Sequence, residues 1–171
     1  FDDAMQELKR QDLIPALSEH IKNKKIFLGI CLGMQLLFEE SEEARDSMVR
    51  LRSPLTLSAV EVSKGLGLLK GKVKKFENKD NLKVPHMGWN QLNVKNNGCP
   101  LLKGIADNSY VYFCHSYYPQ PKDERIVAAT TDYGIDFTSI LWQDNIYGAQ
   151  FHPEKSQETG LKILKNFVNL C

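Results

Sequence analysis

Read for polar and apolar positions, the chain begins helical and turns strand-like. Residues 2–10 (DDAMQELKR) carry acids in the first turn and bases in the last, which predicts a short helix. Asp12 is a candidate cap for a second helical stretch through Pro15, Leu17 and Ile21. After Lys24-Lys25 the run IFLGI is continuously apolar, as suits a buried parallel strand. CLGMQLLFEESEEA follows at once, with Met34, Leu37 and Phe38 at helical spacing, so a strand, a sharp turn and a helix meet at Cys31. Residues 44–64 have no clean period and read as a loop or irregular insertion. Strand-like runs then dominate: VKKF, WNQLNV, YVYFCHSYY, RIVAATTDYG and FTSILWQ. Asp144-Asn145 between FTSILWQ and IYGAQFH predicts a hairpin turn. The segment SQETGLKILKNFVNL predicts an amphipathic helix, with Ser156 as N-cap and Leu161, Leu164, Phe167 and Val168 as its apolar stripe. The pattern predicts an α/β class with a mixed sheet flanked by helices, in one domain over residues 1–171.

Composition narrows the function classes. The 171 residues are 42% hydrophobic and 25% charged, ordinary for a globular domain. The 22 basic and 21 acidic residues nearly cancel, so no global field favours nucleic acid or an anionic membrane. No apolar run approaches the ~18 residues a membrane span needs. The four cysteines, Cys31, Cys99, Cys114 and Cys171, form no CxxC pair, which excludes a zinc ribbon and reads as reduced thiols in a cytoplasmic protein. No metal or cofactor set is predicted.

Two motifs carry chemistry. Gly29-Ile30-Cys31-Leu32-Gly33 is a G-x-C-x-G form of the nucleophile elbow. The flanking glycines permit the tight turn. The following helix N-terminus is expected to lower the thiol pKa, and the Leu32 amide to face a developing oxyanion. In Phe151-His152-Pro153-Glu154, an extended backbone would point His152 and Glu154 to one side, the carboxylate orienting the imidazole. Together they supply the parts of a Cys-His-Glu triad, which open α/β sheets gather at strand carboxyl ends. Each alone also has a plainer reading, a structural cysteine and a surface turn.

The runs GICLGMQLLFEES and GAQFHPEKSQ resemble the class I (triad) glutamine amidotransferases, and GLGLLKGKV, VPHMGWNQL and YFCHSYY narrow the resemblance to the glutaminase subunits of imidazole glycerol phosphate synthases. The resemblance runs over nearly the whole chain. It implies a flavodoxin-like domain, with Cys31 as nucleophile, His152 as general base and acid, and Glu154 as the orienting carboxylate. It further implies that Leu32, Gln35, His115, Ser116 and Tyr117 bind glutamine. It puts Pro85, His86, Met87, Gly88, Trp89, Asn90, Lys155 and Ser156 near an interface with a (β/α)8-barrel cyclase, in a heterodimer. The implied chemistry is a glutamyl thioester route releasing ammonia to that cyclase for histidine synthesis, without a cofactor. Members of this family carry an IDYG-like strand, a helix and a PGVG oxyanion loop ahead of the residue that Phe1 resembles, so the sequence reads as lacking that segment. The 44–64 stretch is longer than the family's connection. A related glutaminase serving another acceptor, such as amidino-sugar synthesis, and a non-catalytic scaffold are the alternatives.

Overall fold

The apolar run after Lys25 becomes β1 (Phe27–Ile30), which lies parallel to β11 (Ile146–Ala149) in the computed structural model. The structure describes residues 1–43, 63–77 and 82–171. Strand β11 is the second arm of a hairpin from β10 (Asp136–Gln143), and Gln143 pairs with Ile146 across Asp144-Asn145. Asp144 takes φ 53°, the positive value that a two-residue hairpin loop demands. Strand β9 (Val127–Asp132) and β6 (Asn93–Val94) complete a five-stranded sheet in the order β1-β11-β10-β9-β6. Strand β1 has one partner among the described residues, and its side chains are therefore half-buried rather than enclosed as the apolar run predicts.

Two helices, α1 (Asp2–Arg10) and α2 (Leu13–Lys22), form where the pattern places them. Asp12 stands at the N-cap of α2, but in a left-handed conformation with no side-chain cap bond. The Asn145 side chain then ties the exit of α2 to the hairpin, donating to the carbonyls of Ile21 (3.0 Å) and Lys25 (2.7 Å).

The sequence pattern misleads after Cys31. Helix α3 spans only Leu32–Gln35, and Phe38–Ser41 is a strand, β2. The cause lies in the segment Gly65–Leu69, whose amides claim the carbonyls that a longer helix would use. Leu66 donates to Leu36 (2.8 Å), and Leu68 and Leu69 donate to Leu37 (both 2.9 Å). Strand β2 then pairs with β3 (Ser63–Lys64) and, in parallel, with β4 (Leu69–Lys75), and β8 (Tyr117–Pro121) extends this second sheet. The expected irregular stretch thus ends in a strand, while its residues 44–62 lie outside the described residues. A two-stranded ribbon of β5 (His86–Gln91) and β7 (Tyr110–His115) completes the sheets.

One core packs Phe113, Phe137, Ile140 and Phe151 under α4 (Gln157–Val168). The other packs Met34, Leu37, Phe38 and Leu69 with Phe1 and Met5 of the N-terminal helix. Helix α4 is rotated from the predicted stripe. Ile163 is fully buried and Phe167 packs on the core, whereas Leu161 and Val168 are 61% and 66% exposed. Gly160 fixes the rotation, because the helix backbone there sits against Pro153 and a Cβ would lie 2.7 Å from the Pro153 carbonyl carbon and the Ser156 Cβ. Asn166 anchors the same face through the Leu101 and Lys103 carbonyls, both at 2.9 Å.

Candidate active site

The parallel pairing of β1 with β11 ends at Ile30 opposite Ala149, and both chemical motifs start there. The Cys31 amide donates to the Ala149 carbonyl at 2.7 Å, and the chain then turns with Cys31 at φ 49°, ψ −108°. A side-chain-bearing residue in such a conformation stores about 1–3 kcal/mol, which the surrounding packing must hold. The tightness of the turn requires Gly29, where a Cβ would lie 2.7 Å from the Gly33 carbonyl group and 2.8 Å from the Met34 amide. Gly33 itself faces open space among the described residues. Across the strand pair, Gly148 gives room for Met34, whose Cγ would meet a Cβ there at 2.7 Å.

The second motif leaves β11 through the fully buried Gln150 and Phe151 and delivers His152 in extended backbone, φ −99°, ψ 97°. Pro153–Lys155 then form a 3-10 turn, so Glu154 does not continue a strand as the alternation predicts. The turn still returns the carboxylate to the imidazole, with His152 Nδ1 and Glu154 Oε1 2.8 Å apart. Two residues clamp this turn. The His152 amide donates to the Tyr112 carbonyl (2.9 Å), and the Ser156 hydroxyl accepts from the Tyr112 amide (2.9 Å) while donating to the His152 carbonyl (2.7 Å). Ser156 occupies the N-cap position of α4 but makes no cap bond, since its hydroxyl is used in this clamp.

The sulfur is surrounded by weaker contacts. Gln150 Nε2 donates to Cys31 Sγ at 3.6 Å, and the thiol faces the Cys114 carbonyl at 4.0 Å. No hydrogen bond joins His152 to Cys31 among the described residues, although Glu154 is near enough to act on the thiol electrostatically. The thiol pKa is raised, opposite to the expectation from the helix N-terminus. Burial is the main cause, ahead of the Leu32 amide and Gln150, which favour the thiolate, while Glu154 opposes it. Helix α3 is one turn long, so its dipole is small against the desolvation. A thiol held in this way would need a base in order to act as a nucleophile.

Behind the sulfur lies a buried polar network. Gln35, 4% exposed, donates through Nε2 to the Tyr117 carbonyl (2.9 Å) and to Gln150 Oε1 (3.0 Å). His115 Nδ1 meets the same Tyr117 carbonyl at 2.8 Å, and His86 Nδ1 lies 3.2 Å from His115 Nε2. Burial holds His86 near a pKa of about 4 and His115 near about 3, so both are neutral at pH 7. A carbonyl only accepts, so His115 carries its proton on Nδ1 and accepts at Nε2 from His86. Ser116 is half-buried, its carbonyl accepting from the Phe76 amide at 3.0 Å, and Leu32 is exposed beside the elbow.

Of the residues expected at a partner interface, the structure exposes Pro85, Met87, Trp89 and Lys155, with Gly88 and Asn90 half-buried. Met87 and Trp89 are 61% and 46% exposed on one face of β5. His86 and Ser156 depart from that expectation, at 3% and 1% exposure. Strand alternation explains His86, which pairs with His115 and stacks on Tyr133 with ring centroids 3.9 Å apart. Ser156 is turned inward by the His152 clamp. The sequence reading missed Gln150 and Tyr112 as supports. A single amide in the run GAQFH was its only trace of the former.

The elbow, the histidine–carboxylate pair and the parallel strands between them agree with a family match: residues 4–171 fit the glutamine amidotransferase class-I family, to which the chain belongs. Within that class the chain falls among the imidazole glycerol phosphate synthase HisH subunits. It is 46% identical to the subunit hisH of Cyanophora paradoxa, over 98% of this chain and 71% of that protein. It is also 46% identical to subunit HisH of Methanocaldococcus jannaschii, over 99% of this chain and 76% of that protein. A solved glutamine amidotransferase from Thermotoga maritima shares the fold, with a TM-score of 0.59, 17% identity, 99% of this chain covered and 57% of that chain.

Proposed function

We propose that residues 1–171 act as one glutamine amidotransferase domain that hydrolyses glutamine at Cys31 and hands the ammonia to a cyclase subunit with a (β/α)8 barrel, in a heterodimeric imidazole glycerol phosphate synthase. The carrying observation is the β1–β11 register, which sets Cys31 beside the strand leading to His152 and Glu154. The membership among HisH subunits supports the acceptor. The four free cysteines support a reducing compartment, the cytoplasm, and no helix among the described residues is long and apolar enough to cross a membrane.

In this reading His152 takes the Cys31 proton as sulfur attacks the glutamine carboxamide carbon. The new C–S bond creates a tetrahedral oxyanion, toward which the Leu32 amide donates. The oxyanion collapses, the C–N bond breaks, and His152 returns its proton to the departing ammonia. Water, deprotonated by His152, then attacks the thioester; glutamate leaves and the thiol is restored. Glu154 keeps the imidazole in one tautomer and stabilises its cation. Gln35 and the segment His115 to Tyr117 form the glutamine site beside the sulfur. Met87, Trp89 and Lys155 supply exposed side chains for the cyclase, with Pro85 exposed at the start of the same strand and Gly88 and Asn90 half-buried on its other face.

The test is glutamate release from glutamine, with and without a cyclase subunit and its nucleotide ligand. Turnover that the cyclase raises and that Cys31→Ala abolishes is expected. Turnover that survives Cys31→Ala would overturn the proposal.

A further inference from the structure

Gln150 is fully buried, belongs to neither motif's catalytic set, and spends both ends of its amide on the site. Its orientation is fixed by the network behind it. The Tyr117 carbonyl can only accept, so the amide nitrogen of Gln35 must face it, and that nitrogen's second hydrogen points at Gln150. Gln150 therefore presents Oε1 to Gln35 and Nε2 to the sulfur. A flipped Gln150 would set two NH2 groups against each other and an oxygen against Sγ. His115 pins the carbonyl from the other side, at 2.8 Å.

We infer that Gln150 is a positioning residue whose buried side-chain amide, locked by Gln35 and the Tyr117 carbonyl, donates to Cys31 Sγ and stabilises the thiolate formed during attack. The inference rests on Cys31 being the nucleophile. A burial-raised thiol with no imidazole bonded to it needs a fixed donor once it ionises, and Gln150 is the side chain that donates to it among the described residues. Its donation also constrains where the sulfur sits, 119 positions away in the chain.

The experiment is alkylation of Cys31 by iodoacetamide across pH, followed by mass spectrometry of the Cys31 peptide so that the other three thiols do not contribute. It compares the wild type with Gln150→Met and Gln150→Glu. Met removes the donor at similar volume, and Glu replaces it with a charge beside the sulfur. Gln150→Met is expected to shift the midpoint up by about one pH unit, a loss of about tenfold in rate below the midpoint, near the lower end for a hydrogen bond to a charged group. Gln150→Glu is expected to shift it further. The high-pH plateau is expected to stay, since a thiolate of higher pKa is no weaker a nucleophile. A fallen plateau with an unmoved midpoint would show altered access or folding and overturn the inference, as would an unchanged profile. Cys31→Ala turnover is read separately. If it abolishes glutamate release while the Gln150 profiles stay unshifted, the inference fails and the nucleophile assignment stands.

Discussion

Removing the Ser156 hydroxyl tests whether this residue supports the site or meets a partner. In Ser156→Ala the Tyr112 amide loses the acceptor at 2.9 Å, and the His152 carbonyl loses a donor at 2.7 Å. The two losses differ in weight. The His152 carbonyl keeps the Lys155 amide at 3.0 Å, so its loss costs about 0.5–1.5 kcal/mol. Ser156 is 1% exposed and shields the amide beneath it, so the Tyr112 N–H is left without a partner, at about 1–3 kcal/mol. The sum is about 1.5–4.5 kcal/mol. With a urea slope of about 2 kcal/mol per M, the midpoint falls by roughly 1–2 M. Urea unfolding followed by circular dichroism measures it. The same variant loosens the His152 turn, so kcat falls while cyclase affinity holds. An unchanged midpoint together with a weakened cyclase complex would refute the clamp and restore Ser156 to the interface.

Gly29→Ala is expected to abolish activity and lower the melting temperature by several degrees, since its Cβ meets backbone atoms that cannot rotate away, whereas Gly33→Ala, facing open space, stays within about 1 kcal/mol of the parent. Acidification gives another outcome, because His86 and His115 have folded pKa values of about 4 and about 3, depressed from 6.5. The unfolded chain binds these protons first, so stability is full above pH 6.5 and falls below it, down to about pH 4 for His86 and about pH 3 for His115, by roughly 1.4 kcal/mol per pH unit for each histidine. Urea midpoints from pH 7 to 4.5 should decline more gently in His86→Phe, and parallel profiles would count against the assignment. Met87→Ala with Trp89→Ala should weaken cyclase binding by at least tenfold, read by calorimetry, while leaving the urea midpoint within about 0.5 kcal/mol.

The elements most legible in the sequence were those with one local cause. The acids and bases of Asp2–Arg10, the apolar run at β1 and the Asp144-Asn145 loop each appear where the pattern places them. What failed depended on distant backbone. Phe38 sits at helical spacing yet lies in a strand, because Gly65–Leu69 removes the carbonyls a helix needs. The rotation of α4 depends on Gly160 meeting Pro153, which no periodicity encodes. In the site, the elbow was legible because its turn chemistry is local, and His152 and Glu154 do meet, though through a 3-10 turn rather than the extended backbone that the alternation predicts. The thiol's raised pKa was not, since it comes from burial by residues far along the chain. His86 and Ser156 were misplaced because each faces inward by strand register or by one hydrogen bond.

The pairing of β1 with β11 also governs when the protein can work. Cys31 precedes His152 and Glu154 in the chain, and among the described residues the strand carrying Ala149 is the one that fixes the Cys31 amide. Without the β10–β11 hairpin, β1 loses its one partner among the described residues and the Cys31 amide loses its acceptor. Bringing such distant segments together is among the slowest steps available to a folding chain. In the proposed reading, a chain without the β10–β11 hairpin and the turn after it lacks both the strand that fixes Cys31 and the His152–Glu154 pair, and is expected to cleave no glutamine.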